Sequence, residues 1–350
     1  MKTSIGGQAL LEGIMMRGPK KSSMAVRNTD GEIVIEEIEI KEKKRPKITK
    51  LPFIRGVFNF ASSMAIGYKA LMRSAEISGL EEAEAEMERE KEAKKLAKAA
   101  KKAEKSSAAS EKIDNTPDSE EKTKDKKDSG ALSGIIMVIS TLLGVVLAVG
   151  LFIALPNLVC TLILGKNPDP IWYAVISGAI KVFILIMYMW LVSYMKDIKR
   201  TFMYHGAEHK TIFCYEKGLE LTVENVRKQS RFHPRCGTSF LFLTVFVSVA
   251  LMIVVGILLR LWLPVSIIES KVLYTLIRTG IAILLIPFMA GIGFELIKLA
   301  GRHDNIFTKI ISAPGLLMQR ITTKEPDDSM IECAIAAVKE VIPEDGSDRI

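Results

Sequence analysis

Histidine, cysteine and tryptophan are scarce in this chain of 350 residues, which has four, four and three of them. Cys160, Cys214, Cys236 and Cys333 have no regular spacing, which excludes the disulfide framework of a small secreted domain. Three of the four are expected in a reducing cytosol, and no cleavable signal peptide is expected at the start. A soluble composition is also missing. The chain is 49% hydrophobic yet 25% charged, so charge and apolar residues are segregated along it. The net charge of +8 suits an anionic membrane surface. Its basic residues lie in mixed Lys/Glu tracts and beside apolar segments, so no nucleic-acid partner is expected.

What is present divides into four regions. In residues 1–79, a Gly- and Met-rich start too short to span a bilayer is followed by two alternating runs around Thr29-Asp30-Gly31, a β-hairpin signal. Residues 51–78 then show helical spacing with Arg55, Lys69 and Arg73 among the apolar positions. This is an amphipathic helix, lying on a membrane, packed on a bundle or buried. Residues 80–130 are a charged helix and a disordered linker. Residues 131–300 hold four apolar segments: 134–155 (continuing past Pro156 to Leu164), 171–195, 238–263 and 272–297. Each is long enough to cross a bilayer core of about 30 Å. Residues 301–350 read as cytoplasmic amphipathic helices, interfacial or docked under the bundle.

The short links GKNPDP and PVSIIESK nearly lack Lys and Arg, whereas the loop 196–237 and the tail are rich in them. The positive side is cytoplasmic. The expected fold is therefore an all-α polytopic membrane protein, with four transmembrane helices and a small α+β cytoplasmic cap that includes the N-terminal β-hairpin. Both termini face the cytosol, and the lipid bilayer is the implied partner. Lys181 falls near the middle of the second span and is expected to face the bundle interior or a wet cavity. Arg260 and Arg278 lie near the outer end, where they are expected to snorkel.

This topology brings every histidine to one membrane face. His205, Glu208 and His209 form H-x-x-E-H on an expected cytoplasmic extension of the second span, which Gly206 has the potential to break. Two imidazoles at i, i+4 and one carboxylate share a helix face, the arrangement of an inverted zinc-peptidase motif. Interfacial histidines contacting lipid phosphate are the other reading. His233 and Cys236, spaced H-x-x-C, precede the third span. His205, His209 and His233 would make an open site, and Cys236 would close it. Cys236 also suits a nucleophile beside Arg235 at a helix start, or a capping turn with Thr238 or Ser239. Glu295 is an isolated acid in apolar sequence. It either completes the ligand set or pairs with Lys298, Arg302 or a histidine. His303 orients that site or caps the next helix.

GGQALLEGIMMRGP, LPFIRGVFNF, YHGAEHKTIFCYEKG and RFHPRCGTSFLF resemble segments of the YqhQ-like bacterial membrane proteins, from residue 4 to about residue 320. The resemblance implies a bacterial inner-membrane location and a metal-dependent activity. It also implies one functional unit containing His205, Glu208, His209, His233, Cys236 and the N-terminal segment, with Glu12, Arg17 and Arg55 lining the site. The first expectation is a hydrolase acting on a membrane-embedded peptide or a lipid-linked group. His205, His209 and His233 would hold Zn²⁺ or another divalent transition metal, and Glu208 would act as the base. The rival is a non-catalytic membrane scaffold, assembly factor or transporter, with a structural metal or none.

Overall fold

A computed structural model describes residues 2–38, 51, 54–79, 129–164, 169–302 and 305–349. The expected charged linker therefore falls almost wholly outside the described residues, as does His303. Two compact units separate, one of Met1–Ser78 with Ala148–Ile350 and one of Gly79–Leu147.

The first unit opens with four strands, β1 (Gly6–Leu10), β2 (Gly13–Arg17), β3 (Ser22–Arg27) and β4 (Ile33–Ile38), in one antiparallel meander. The expected hairpin is β3–β4, with Gly31 left-handed at φ 84° in its turn. A second hairpin, β1–β2, precedes it, and its turn places Glu12 at φ 50°. Alternation sends Ile14, Met16 and Ala25 to one face of the sheet and Leu10, Met15, Met24 and Val26 to the other. Helix α1 (Ile54–Ile77) covers the second face with Ala70.

The remaining helices are α2 (Ser129–Val149), α3 (Leu155–Leu164), α4 (Pro170–Val192), α5 (Lys196–Glu216), α6 (Val223–Arg227), α7 (Thr238–Trp262), α8 (Val265–Glu269), α9 (Lys271–Leu284), α10 (Ile286–Arg302), α11 (Ile306–Thr322) and α12 (Asp328–Val341). A π-turn at Gly150–Ala154 joins α2 to α3, and the Leu155 N–H bonds back to the Gly150 carbonyl. Pro156 has no N–H to donate, and widening the preceding turn is a common response to such a gap.

Among the described residues, three helices are long and apolar enough to cross a membrane: Ile139–Leu164, Pro170–Val192 and Phe240–Trp262. A pair bent by 48°, Val272–Leu284 and Ile286–Leu296, passes the same test together, so the number is three, or four if the pair is one span. These helices make the chain a membrane protein.

The structure corrects three expectations. The second span does not run on into the histidine helix. It ends at Val192, where the Ser193 hydroxyl bonds back to the Trp190 carbonyl at 2.7 Å, and Met195 turns extended before α5 begins. Such back-bonding competes with helix propagation. Helix α5 is unbroken at Gly206, where the chain at Lys324 passes so close that a Cβ would strike its carbonyl oxygen. Arg278 does not snorkel. It is 1% exposed, its guanidinium stacked 4.1 Å over the Tyr173 ring and bonded to Tyr274 Oη and the Met252 carbonyl. Lys181 donates to Ser248 Oγ at 3.3 Å between α4 and α7.

Helix α12 packs on the sheet rather than under the bundle. Met330, Ile331, Ala334 and Val338 join Ile14, Met16 and Ala25 in one core with Tyr204, Ala207 and Ile212 of α5. The sheet is thus covered on both faces, which explains why β2 is apolar without alternation. Thr3 pairs with Arg349 and donates its hydroxyl to Asp348 at 2.6 Å. The first residues, the segment from 196 and the last helix therefore form a single α/β head.

Candidate metal centre

The geometry begins with two imidazoles, each fixed by its own backbone anchor. His205 Nδ1–H donates to the Thr322 carbonyl at 2.9 Å, and His209 Nδ1–H donates to the Arg231 carbonyl at 2.6 Å. These bonds set both tautomers, leaving a lone pair on each Nε2. The rings stand 4.4 Å apart, centroid to centroid. Cys236 Sγ lies 3.2 Å from His205 Nε2. Ligand atoms of His205, His209 and Cys236 all lie within 4.8 Å of one another. His209 Nε2 is buried without a hydrogen-bond partner. Such an orphan is costly unless something accepts its lone pair.

The donor set fits a metal. Two imidazoles and one thiol suit Zn²⁺ and related ions, and three protein ligands leave one coordination position open. Nδ1–H bonds to backbone carbonyls are the usual means of aiming Nε2 at a metal. Burial lowers the His209 pKa, and the nearby thiol opposes this only in part, so the ring stays in its ligating, neutral form.

A family described as "Protein of unknown function (DUF1385)" matches residues 51–344. The chain belongs to the DUF1385 family. It is 33% identical over 349 residues to a protein of Bacillus subtilis (strain 168) named "Uncharacterized protein YqhQ", with 96% of this chain and 92% of the relative covered. No solved structure matches it.

In this DUF1385 protein it is Cys236, and not His233, whose ligand atom converges with those of His205 and His209. His233 stands one ring further out, 5.5 Å from His209. Its Nδ1 accepts from the Arg235 N–H at 3.3 Å, and its Nε2 faces Glu216 at 3.6 Å. Gln319 clamps its backbone, accepting from the His233 N–H and donating to its carbonyl. Arg235 turns to Glu216 and to the Thr3 carbonyl rather than to the thiol. Burial alone would raise the Glu216 pKa, but the His233 ring, the Thr3 N–H and Arg235 hold it down at about 2.

Glu208 lies on α5 outside the converging set. It is 5% exposed, and one carboxylate oxygen accepts from the Gly7 N–H at 3.0 Å. Burial raises its pKa against the pull of His205 and that N–H. Glu295 pairs bidentately with Arg55, at 3.0 and 2.6 Å, and so ties α1 to α10 instead of joining the histidines. Glu12 grips Arg200 and accepts from the Oη of Tyr204, the residue next to His205. Arg17 donates to Ser63 on α1. Lys181 belongs to the bundle.

The anchors at Thr322, Arg231 and Gln319 escaped the sequence reading. A signal was there: Gln319, Thr322 and Thr323 are polar residues on the inner side of α11 and its end, and all three are buried.

Proposed function

We propose that this protein is a metal-dependent hydrolase at the cytoplasmic face of the bacterial inner membrane. The bent pair would serve as a fourth crossing, because both chain ends and the 196–237 segment meet in one head and an even number of crossings must separate them. His205, His209 and Cys236 would hold Zn²⁺ or another divalent transition metal. Zinc, when bound, supplies a Lewis acid and lowers the pKa of its water toward about 7. Glu208, on the same helix, would take the proton: burial raises its pKa in the direction a base requires, and the Gly7 N–H on one oxygen leaves the other to receive it. The substrate class is a membrane-embedded peptide or a lipid-linked group. The orphaned Nε2 of His209 carries this reading.

A second reading, a structural metal in a non-catalytic scaffold, is favoured by one observation. His209 and Cys236 are both buried, and the cluster joins α5, the 231–236 turn and the end of α11. Elemental analysis of the purified full-length protein, with growth of cells carrying each variant, decides between them. One equivalent of metal is expected, falling to background in His205→Ala, His209→Ala and Cys236→Ala. Glu208→Gln should keep the metal and the fold but lose function in cells. Function retained in that variant leaves the structural reading, and a metal-free wild-type protein removes both.

A further inference from the structure

Helix α11 ends against the metal centre, and each of the three converging side chains is fixed from that end. Thr322 is its final residue. A helix leaves its last carbonyls without partners along the chain. Here the Thr322 carbonyl accepts the Nδ1–H of His205, and the Thr323 carbonyl accepts from the Arg231 guanidinium. Arg231 in turn offers its own carbonyl to the Nδ1–H of His209. The negative end of a helix dipole favours such donors. Two of the ligands are thus aimed through backbone carbonyls.

The third is held by a side chain. Gln319, one turn before the helix end, is wholly buried. A polar amide at that depth is costly unless both its ends are bonded, and both ends go to a single residue. Its Oε1 accepts the His233 N–H at 2.7 Å, and its Nε2–H donates to the His233 carbonyl at 2.8 Å. That carbonyl also accepts the Cys236 N–H at 3.3 Å, which closes a four-residue turn. Pro234 stands at its second position, where the ring locks φ at about −65°. A closed turn with one locked dihedral has little freedom. Fixing the backbone of His233 therefore fixes where Cys236 can stand, and its Sγ lies 3.2 Å from His205 Nε2. Beside Gln319, Met318 is buried with Leu185 and Phe242 of the bundle, so the clamp has a rigid base.

We propose that, within the metal centre proposed above, Gln319 is the positioning residue that delivers Cys236 as a ligand. It touches neither metal nor substrate, and acts through the His233–Cys236 turn. Partners of this kind are commonly worth about 10–100-fold in metal affinity.

Titration of the full-length protein in detergent with Co²⁺, followed by absorption, tests this. Visible bands report that Co²⁺ is bound, and a near-ultraviolet charge-transfer band reports that a thiolate binds it. The wild-type protein should show both at one equivalent, and Cys236→Ser should lose the near-ultraviolet band. Gln319→Met keeps the length and bulk of the side chain but neither hydrogen bond. It should lose the same band, keep the visible ones, and hold Co²⁺ about 10–100-fold more weakly. Gln319→Asn keeps an amide that is one methylene too short, and should behave alike, which keeps the test open if the methionine variant folds poorly. A near-ultraviolet band at full strength in both variants overturns the role of Gln319 and leaves the metal reading standing. Loss of both kinds of band in both variants also overturns it, because the histidine pair would then have collapsed along with the turn. A wild-type protein that takes up no Co²⁺ overturns this role and the metal reading together.

Discussion

The α/β head and the apolar bundle answer their charges differently. In the head, charge meets charge: Glu216 with Arg235, Glu12 with Arg200, Glu36 with Arg73. In the bundle, Arg278 rests on two tyrosines and a backbone carbonyl, and Lys181 on a serine hydroxyl. No carboxylate among the described residues pairs with either bundle cation. A buried ion pair is costly to break, because removing one partner strands the other. A cation held by ring faces and dipoles strands no ion when it is removed. The same residue type therefore carries different risks in the two regions.

The sharpest test is Arg235→Ala. It leaves Glu216 nearly buried without its guanidinium, and the head should lose about 3–5 kcal/mol, read as a lower denaturation midpoint in detergent. Acid should do nearly the same without a mutation. Glu216 sits at about 2 against an ordinary 4.5, so its contribution is complete above pH 4.5 and drains as the pH falls toward 2. At about 1.4 kcal/mol per pH unit, this is worth about 3 kcal/mol. Melting curves between those limits should flatten in Glu216→Gln. A smaller effect is expected in the bundle. Arg278→Lys loses the planar stack on Tyr173 and should cost about 2 kcal/mol. Arg278→Met should cost less than Arg278→Lys, since it removes a charge without stranding another. If the methionine variant instead proves the worse of the two, the contrast between the regions fails. The least effect belongs to Arg227→Ala, which breaks an exposed pair with Asp328 and should not move the melting temperature.

These contrasts bear on what a sequence can reveal. The β3–β4 hairpin was legible because Asp30-Gly31 lies between alternating runs. The β1–β2 hairpin was not, since Glu12 takes a left-handed turn position where glycine would have signalled it. Burial on both faces also hid the alternation of β2. The end of α4 carries neither glycine nor proline, only a serine that folds back on its own helix. The pairing of His205 with His209 followed from their spacing. Whether His233 or Cys236 would join them did not, because H-x-x-C offers both equally. That choice depends on the His233 ring meeting the Arg235 N–H and Glu216, two contacts that no spacing encodes. Arg278 was misread for a similar reason, since one of its tyrosines comes from a different helix.

The union of Thr3 with Arg349 has a consequence for biosynthesis. The strands emerge from the ribosome first, but the helix that covers Ile14 and Met16 follows every span. Until then, that apolar face of the sheet lacks half of its cover. A product truncated before Asp328 would leave Ile14, Met16 and Ala25 with α5 alone for cover, without Met330, Ile331, Ala334 and Val338.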